Sequence, residues 1–350
     1  MKKFCVFCGK YPESKNQEHI IPRWLIKRTG DPGRKARFGV DFRNNRPKWR
    51  EFAFDAFAFP ACTRCNTVFG KLETAAQKVI ESLLNREAVP HLAMHILLDW
   101  LDKVRVGLWL GYFYLDRNPL EISPKFHIVQ RMGQFDRSVS IFRIDRKEPG
   151  ISFIGPESPA FQGSPTRFAL VINDLCFLNS STISLCSRRL GFPHGRPKHL
   201  RDDGQLEITF EEGSERVMRP VQKDLVIPWA TTLHQPVFRN FLTTPQYEKF
   251  FDTAWVRERS MDWKRGYGSV FLESGRTVRT YDSKPSLDWL PSEAEGPHGV
   301  FRAVVPFVYH ALASDMTEGA KIAGPERRRF MMEGVAGFQK VHQALLRALH

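Results

Sequence analysis

The feature that most constrains the fold of this chain is a pair of Cys-x-x-Cys motifs near its start. The first motif contains Cys5 and Cys8, and the second contains Cys62 and Cys65. This spacing lets both sulfurs of a motif bind one ion at about 2.3 Å, so two motifs can complete a tetrahedral site of four thiolates. The sequence therefore predicts a structural zinc ion that is held by these cysteines and has no open coordination position.

The other features of composition favour a cytoplasmic protein. Six cysteines in 350 residues fit metal binding better than a disulfide framework. No apolar segment separates Met1 from Cys5, so we expect no secretory signal. The most apolar stretch, residues 106–115, is too short for a bilayer span, and we expect a buried core helix. Cys176 and Cys186 have apolar, strand-like neighbours and are interpreted as small buried hydrophobic side chains.

The net charge of +14 is concentrated at the start of the chain. Residues 1–50 carry fourteen Lys or Arg and only four acids. Such a basic field attracts polyanions and provides salt-sensitive phosphate contacts, so we expect nucleic acid, in the first place DNA, as the partner. The alternative is a solvated basic loop. The predicted nucleic-acid-binding residues are Arg23, Lys27, Arg28, Arg34, Lys35, Arg37, Arg64 and Lys71.

A Glu18-His19 pair followed by Ile-Ile-Pro lies between the two motifs, and Asn66 follows the second motif directly. From Cys5 to Glu73 the chain resembles the HNH, or His-Me finger, endonucleases, in the zinc-bearing four-cysteine branch typified by phage endonuclease VII. The resemblance implies a ββα-metal module, in which two strands pack on one helix around a catalytic cation. The rest of the chain resembles no family.

The resemblance implies three catalytic residues. His19 would be the general base, Glu18 would bind Mg²⁺ or Mn²⁺ through its carboxylate, and Asn66 would add its side-chain carbonyl. The chemistry is also reasonable by itself, because a neutral imidazole with a pKa of about 6.5 can accept a proton from water at neutral pH. A hard cation held by few protein oxygens keeps positions open for water and a phosphate oxygen.

Glu73 is a further candidate ligand of the catalytic cation. It lies seven residues after Asn66, on roughly the same face of the expected helix. Endonuclease VII has an acidic residue three positions after its Asn, where this chain has Phe69. The alternative for Glu73 is an ordinary helix acid that interacts with Lys71 or Gln77.

The stretch between the motifs departs from the HNH pattern. HNH modules usually carry a middle Asn that orients the histidine, whereas residues 52–60 contain no Asn. Asp55, Asn44, Asn45 or a backbone carbonyl is the candidate to hold the His19 ring instead.

Two other groups of histidines are weaker candidates. His91, His95 and Asp99 have a spacing that can bind zinc, but the glutamate of a hydrolytic His-Glu-x-x-His motif is missing. We interpret this group as structural. His194 and His199 lie among basic residues. They could contact phosphate, or they could belong to a solvated loop.

Apolar periodicity predicts the elements outside the motifs. Residues 69–84 have helical spacing, so we expect a helix from the second motif with Asn66 at or near its N-cap. A second apolar-periodic stretch follows Pro90, and a helix is expected over residues 326–349. Short helices are expected at residues 246–257 and around Val270. A sheet of at least five strands is expected, with strands near residues 126–128, 139–141, 151–153, 168–172 and 206–210.

We therefore expect an α+β protein with three parts. Residues 1–88 would form the zinc-stabilised ββα-metal (HNH) module, and residues 89–118 a helical connector. Residues 119–350 would form a larger C-terminal α/β domain with a mainly antiparallel sheet, used for substrate selection or regulation.

The expected function is metal-dependent endonuclease activity, that is, hydrolysis of phosphodiester bonds, in anti-phage defence or restriction. The C-terminal domain could also bind a second copy or a regulatory protein. One alternative is a non-catalytic, zinc-folded nucleic-acid-binding protein. Another is an adaptor that contacts proteins through its C-terminal sheet.

Overall fold

A computed structural model describes residues 4–30, 33–41, 48–115, 127–144, 148–201, 206–214, 221, 230–243, 245–274, 277–281 and 297–348. Its first elements are β1 (Gln17–His19), α1 (Arg23–Arg28), β2 (Lys35–Asp41), β3 (Lys48–Ala53), β4 (Ala58–Pro60) and α2 (Thr63–Leu84). β1 pairs antiparallel with β4, although 38 residues of chain, including the β2–β3 hairpin, separate them. The order of this N-terminal unit is thus two paired strands followed by a long helix.

The next helix, α3 (His91–Tyr114), lies at the centre of the molecule. Its apolar residues are spread over all sides, and every residue from Trp100 to Phe113, including three charged ones, is buried, as expected for a core helix. Two glycines let the N-terminal unit approach it closely. A Cβ on Gly107 would lie 2.6 Å from the Ile20 side chain, and a Cβ on Gly111 would lie 2.9 Å from the Phe38 ring. The helix also contacts the large sheet, so it joins the two parts of the fold.

The large sheet has seven strands, and all their pairings are antiparallel. In chain order they are β5 (Asp136–Arg143), β6 (Ile151–Ile154), β7 (Arg167–Ile172), β8 (Leu175–Thr182), β11 (Thr231–Gln235), β14 (Phe271–Ser274) and β15 (Thr277–Thr280). Their order across the sheet is β15-β14-β11-β5-β8-β7-β6. Two smaller antiparallel pairs are β9 (His194–Leu200) with β10 (Leu206–Glu211) and β12 (Ser260–Asp262) with β13 (Tyr267–Gly268).

The remaining helices cover and connect the sheet. They are α4 (Ile128–Arg131), α5 (Pro159–Gly163), α6 (Arg239–Leu242), α7 (Pro245–Phe251), α8 (Ala254–Glu258), α9 (Pro297–Lys321) and α10 (Pro325–Ala348). α9 and α10 pack against each other, and α9 also contacts α5 and β7. The buried Tyr309 hydroxyl on α9 donates a hydrogen bond to Glu157. One hydrophobic core includes side chains from Cys5 to Phe338 and thus joins the N-terminal unit, α3 and the sheet.

The mixed fold with a mainly antiparallel sheet is confirmed, as are the second helix after Pro90 and the terminal helix. The buried core helix at residues 106–115 is found within α3. Cys176 and Cys186 are buried as expected. Among the described residues, no helix is long and apolar enough to cross a membrane.

Several predicted elements were wrong. α2 begins at Thr63 with Cys62 as its N-cap, three residues before the expected start. The strand expected near residues 126–128 is replaced, where the chain is described, by α4, because the His127 side chain caps that helix. The segment around Val270 precedes a strand, β14, and is not helical. The strand at residues 206–210 exists, but it pairs with β9 outside the large sheet.

Candidate metal centre and the histidine beside it

The four predicted cysteines converge on one point. All four sulfur atoms lie within 4.8 Å of one another, and the Sγ atoms of Cys8 and Cys62 are 3.8 Å apart. A tetrahedral ion with bonds of about 2.3 Å would place its sulfur ligands about 3.8 Å from each other. The group is therefore positioned to bind a metal ion.

Local backbone structure brings the two motifs together. The Cys5 N–H donates to the Lys10 carbonyl at 2.7 Å, and Gly9, with φ of 70°, allows the tight turn between them. The Cys62 N–H donates to the Cys5 sulfur at 3.2 Å. Because Cys62 is the N-cap of α2, Cys65 lies in the first turn of that helix. The cluster thus joins a turn at the chain start to the beginning of α2.

Electrostatics favour a cation in this cluster. Burial raises the pKa of Cys65 to about 12, and the neighbouring sulfurs add to the effect. Burial raises the pKa of Cys62 as well. Four thiolates in so small a space would repel one another unless a bound cation neutralised them, and a coordinating thiol is deprotonated outright.

A second contact between the start of the chain and α2 involves an acidic residue that the sequence did not indicate. The Thr63 N–H, at the first position of the helix, donates to Glu13 Oε1 at 2.7 Å. Hydrogen bonds from the backbone lower the pKa of this exposed carboxyl. Glu13 therefore satisfies one of the N–H groups that a helix start leaves without a partner.

His19 is the last residue of β1, opposite Ala58 on β4, and is half-buried. The Arg23 Nε–H donates to His19 Nε2 at 3.3 Å, so this nitrogen acts as an acceptor and we assign the ring proton to Nδ1. Burial lowers the pKa of His19, and the positive charge of Arg23 lowers it further. The imidazole is therefore neutral at neutral pH. Arg23, which follows the Ile-Ile-Pro segment, was not among the candidates to orient this ring.

Three residues were candidates to orient the His19 ring. Asp55 is exposed, and its charge raises the pKa of His19, against the larger effects of burial and Arg23. Asn44 and Asn45 lie outside the described residues.

Glu18 and Glu73 both pair with one lysine from α3. The Lys103 Nζ is 2.6 Å from Glu18 Oε1 and also forms an ion pair with Glu73. It makes a third hydrogen bond, of 3.3 Å, to the backbone carbonyl of His19. Lys103 is fully buried and Glu18 is 5% exposed, so this is a cluster of charges inside the protein.

The Lys103 cluster, defined as Glu18, Glu73 and Lys103, has more negative than positive groups. Two carboxylates share one ammonium, and burial raises the pKa of Glu73 to about 7. The charge of Glu18 raises it further, whereas Lys103 opposes the shift. The only sequence signal for Lys103 was a charged stretch within an otherwise apolar helix. Lys71 and Gln77 were the alternative partners of Glu73. On α2, Lys71 is exposed and Gln77 is half-buried.

Asn66 is separate from the Lys103 cluster. It is the fourth residue of α2, so the cap position belongs to Cys62, and its side-chain Nδ2 donates to Asn16 Oδ1 at 3.2 Å. Over the described part of the chain, the four cysteines are the only group of three or more His, Cys, Asp and Glu ligand atoms close enough to share an ion. The structure thus brings Glu18 close to Glu73, whereas Asn66 contacts Asn16, the residue before β1.

The predicted nucleic-acid-binding residues are mostly accessible. Seven are exposed: Arg23, Lys27, Arg28, Lys35, Arg37, Arg64 and Lys71. Arg34 differs, because it is half-buried, donates to the Thr29 carbonyl at 2.5 Å and lies over the Phe54 ring. Its guanidinium supports the loop after α1.

Three of the other candidate histidines have structural partners. His95 Nε2 lies 3.4 Å from Asp99, and its Nδ1 lies 3.2 Å from the buried Arg137. The His91 ring instead lies near Tyr281. His194 is buried and lies 3.1 Å from Glu211, whereas His199 is exposed on the same hairpin.

Comparisons of the chain with models of protein families, with curated proteins and with solved structures find no match. The grounds for a function are therefore the geometry and the chemistry of the groups described above.

Proposed function

We propose that the N-terminal unit is a zinc-stabilised, HNH-type endonuclease that hydrolyses phosphodiester bonds of nucleic acid, in the first place DNA. The observation that supports this best is the position of His19. A neutral imidazole ends the first of two paired strands, next to a helix whose start is tied to the chain by four cysteines. A neutral histidine at the surface of a basic unit can take a proton from water beside a phosphate.

The four cysteines would hold zinc in a structural role. Thiolate sulfur suits zinc, and four protein ligands leave no position open for a substrate. The ion would fix the turn around Cys8 against the start of α2, and β1, which carries His19, lies between them in the chain. Such positioning is a large part of catalysis, because small displacements of a reacting group reduce rates strongly.

Arg23 would control the availability of His19. Its guanidinium occupies the Nε2 lone pair in the described state, and its side chain is exposed. A phosphate that enters the site would compete for this guanidinium, because Arg binds phosphate through two parallel hydrogen bonds. Once Arg23 turned to the phosphate, His19 Nε2 would be free to accept a proton, while Nδ1 keeps its own.

The predicted catalytic cation fits this chain only through Glu18 and Glu73. Their carboxylates converge on one cationic group, and two carboxylates are a suitable donor set for Mg²⁺ or Mn²⁺, which would supply positive charge to the reacting phosphate. Asn66 does not contribute in the described arrangement, since it contacts Asn16. A divalent ion and the Lys103 ammonium would exclude each other from this position.

The same lysine favours a second candidate, a protein that binds nucleic acid without cutting it. A buried ammonium that already neutralises Glu18 and Glu73 removes the need for a metal ion there. The exposed basic side chains of the N-terminal unit would still provide phosphate contacts.

Plasmid nicking by the purified full chain tests the proposal. Wild type, His19→Ala and the control His91→Ala would be incubated with supercoiled DNA in Mg²⁺, in Mn²⁺ and after removal of divalent ions. We expect His19→Ala to lower the nicking rate by about 100-fold or more, the usual contribution of a general base. His91→Ala should keep the wild-type rate, because His91 lies on α3 at a distance in the fold from β1.

DNA affinity, measured in parallel, separates the candidates. Loss of nicking with retained affinity in His19→Ala supports the endonuclease. Equal nicking by wild type and His19→Ala would exclude His19 as the base. Salt-dependent binding without nicking by any variant, under all three ionic conditions, would favour the second candidate.

A further inference from the structure

A cleft of about 960 Å³ lies outside the four-cysteine centre and the Lys103 cluster. It is bounded by α9 and α10, by the β9–β10 hairpin and by the loops next to α4 and α5. Its volume is at the upper end of the range of about 300–1,000 Å³ that is usual for small-ligand sites. Neither His19 nor the four cysteines line it.

The cleft is positively charged. Five basic side chains line it, against the two acids Asp315 and Glu318. Asp315 forms an ion pair with Arg167 at 3.0 Å, and Glu318 forms one with Lys321 at 2.6 Å. Asp315 is therefore balanced by Arg167 from outside the lining, whereas Glu318 is balanced by Lys321 from within it. The basic lining residues are Arg105, Arg131, Arg196, Lys321 and Arg327.

Two of these guanidiniums lie close together at the inner side of the cleft. Arg105 is buried and pairs with Asp102 at 2.8 Å, while Arg131 lies over the Trp109 ring at 4.3 Å from its centroid. Burial, and after it the charge of Arg105, lowers the pKa of Arg131 to about 10. Like charges held in this way create a positive potential that a bound anion would relieve.

The cleft also offers apolar and aromatic surface. Phe135 is 36% exposed and Phe330 is 47% exposed, although both are large hydrophobic side chains. The partly buried Met331 lies in the same lining, and methionine adapts its shape to flat apolar groups. Exposed aromatic rings next to basic side chains are the combination that recognises a base together with its phosphate.

We propose that this cleft binds a nucleotide, with its phosphates near Arg196, Lys321 and Arg327 and its base against Phe135 and Phe330. Guanidinium and ammonium groups bind phosphate through charge-assisted hydrogen bonds. The cleft is large enough for a free nucleotide, and the same chemistry would accept one nucleotide unit of a single strand. The site does not depend on the activity of His19.

Isothermal titration of the full chain tests the site, with divalent ions removed so that nuclease activity does not interfere. The probes are ATP, adenosine, inorganic pyrophosphate and a short oligothymidylate. We expect ATP to bind, and adenosine and pyrophosphate each to bind about tenfold more weakly, because each lacks half of the recognised chemistry. Preference for the oligothymidylate over ATP would identify a strand as the source of the nucleotide.

Matched variants locate the binding. Arg196 is 75% exposed and 3.6 Å from Glu211, and the control Arg265, which is not in the cleft lining, is 71% exposed and 3.6 Å from Asp262. Arg196→Gln should weaken ATP binding by about tenfold, whereas Arg265→Gln should not change it.

A second pair of variants examines the base. Phe330→Ala should weaken the binding of ATP by about tenfold and leave the binding of pyrophosphate unchanged. Met332→Ala is the control and should leave the binding of ATP unchanged. Met332 is exposed on the same helix but lies outside the cleft lining.

Two results would overturn the proposal. One is a folded wild-type chain that binds neither ATP nor the oligothymidylate at millimolar concentration. The other is ATP binding that Arg196→Gln and Phe330→Ala leave unchanged. Retention of ATP binding by His19→Ala is expected, so a failure of the endonuclease proposal would leave this site intact.

Discussion

Helix α3 carries two clusters of buried charge that differ in balance. The Lys103 cluster faces the N-terminal unit and has two carboxylates for one ammonium. The second cluster, here called the Arg137 cluster, faces the sheet and consists of Asp99, Asp102, Arg105 and Arg137.

The Arg137 cluster is balanced, with two acids and two bases. Arg137 is fully buried and pairs with Asp99 at 2.6 Å and with Asp102 at 3.4 Å, and Asp102 also accepts from the Gly133 N–H. The carboxylates of Asp99 and Asp102 raise the pKa of Arg137 despite its burial. A balanced and hydrogen-bonded cluster of this kind holds elements in place.

A further positive charge could enter the Lys103 cluster more easily than the Arg137 cluster. The excess carboxylate of the Lys103 cluster can be neutralised by a cation or by a proton, since burial and then the charge of Glu18 raise the pKa of Glu73 to about 7. The Arg137 cluster has no such excess. The unbalanced cluster is also the one next to His19, which is where the proposed function needs adaptable charge.

The largest expected effect is the removal of zinc from the four-cysteine centre, which should affect only one of the two clusters. Structural zinc contributes on the order of 10 kcal/mol to the folding of the segment that it closes. We expect a strong chelator, or Cys65→Ser, to abolish amide protection around β1 and the start of α2. Protection of the sheet strands beside Arg137 should persist.

Metal analysis and hydrogen exchange measure this outcome. The wild-type chain should contain one zinc ion, and Cys176→Ala, which changes a buried thiol outside the centre, should retain it. Equal loss of protection in both clusters would show that the two sides of α3 unfold as one unit.

The next effect concerns the balanced cluster. Arg137→Leu would leave Asp99 and Asp102 buried without their main partner, and breaking a buried pair typically costs about 3–5 kcal/mol. We expect a decrease of about 4 kcal/mol in the free energy of unfolding, measured with urea. Arg257→Leu removes an exposed ion pair with Asp252 and should change the stability little. A similar small change in both variants would contradict the structural role of the Arg137 cluster.

The corresponding change in the unbalanced cluster should be smaller. Lys103→Met leaves Glu18 and Glu73 without their ammonium, but protonation of Glu73 offsets part of the loss, so we expect a decrease of about 3 kcal/mol. Mn²⁺ should restore part of this stability in Lys103→Met and none in the control Lys78→Met, which changes an exposed lysine of α2. A variant that Mn²⁺ does not stabilise would argue against a divalent ion between the two carboxylates.

The smallest effect is a pH dependence. The folded pKa of Glu73, about 7, is above its ordinary value of 4.5, so its favourable contribution is complete below pH 4.5 and is lost as the pH rises through 7. The free energy of unfolding should therefore fall less between pH 5 and pH 8 in Glu73→Gln than in the wild type. Glu81→Gln, on the same helix, should retain the wild-type slope. Identical slopes in all three proteins would exclude the raised pKa.

The sequence predicted those parts of the site that depend on local spacing. Two Cys-x-x-Cys motifs specify their own ligand geometry, so the four-cysteine centre could be expected before any fold was known. The helical periodicity of α2 placed Glu73 on roughly the same face as Asn66, although Glu73 pairs with Lys103 and Asn66 contacts Asn16. These inferences need only neighbouring residues and one helix.

The missed contacts depend on tertiary structure. Lys103 meets Glu18 across 85 positions in the chain, and nothing in an apolar helix indicates which buried carboxylate its lysine will pair with. Arg23 reaches His19 because Pro22 ends the strand segment and α1 begins at once, in a stretch without helical periodicity. α9 was missed because Pro306 lies within it and its apolar residues are not confined to one face.

Gly107 and Gly111 of α3 leave no room for larger side chains at these two positions. Ile20 and Phe38 fill the notches left by the absent side chains of Gly107 and Gly111, and His19 is the direct neighbour of Ile20. An added methyl group at Gly107 would push Ile20, and with it β1, away from α3, and would lengthen the contact between Glu18 and Lys103. The position of β1 against Lys103 is thus set by the packing of the same helix that carries this lysine.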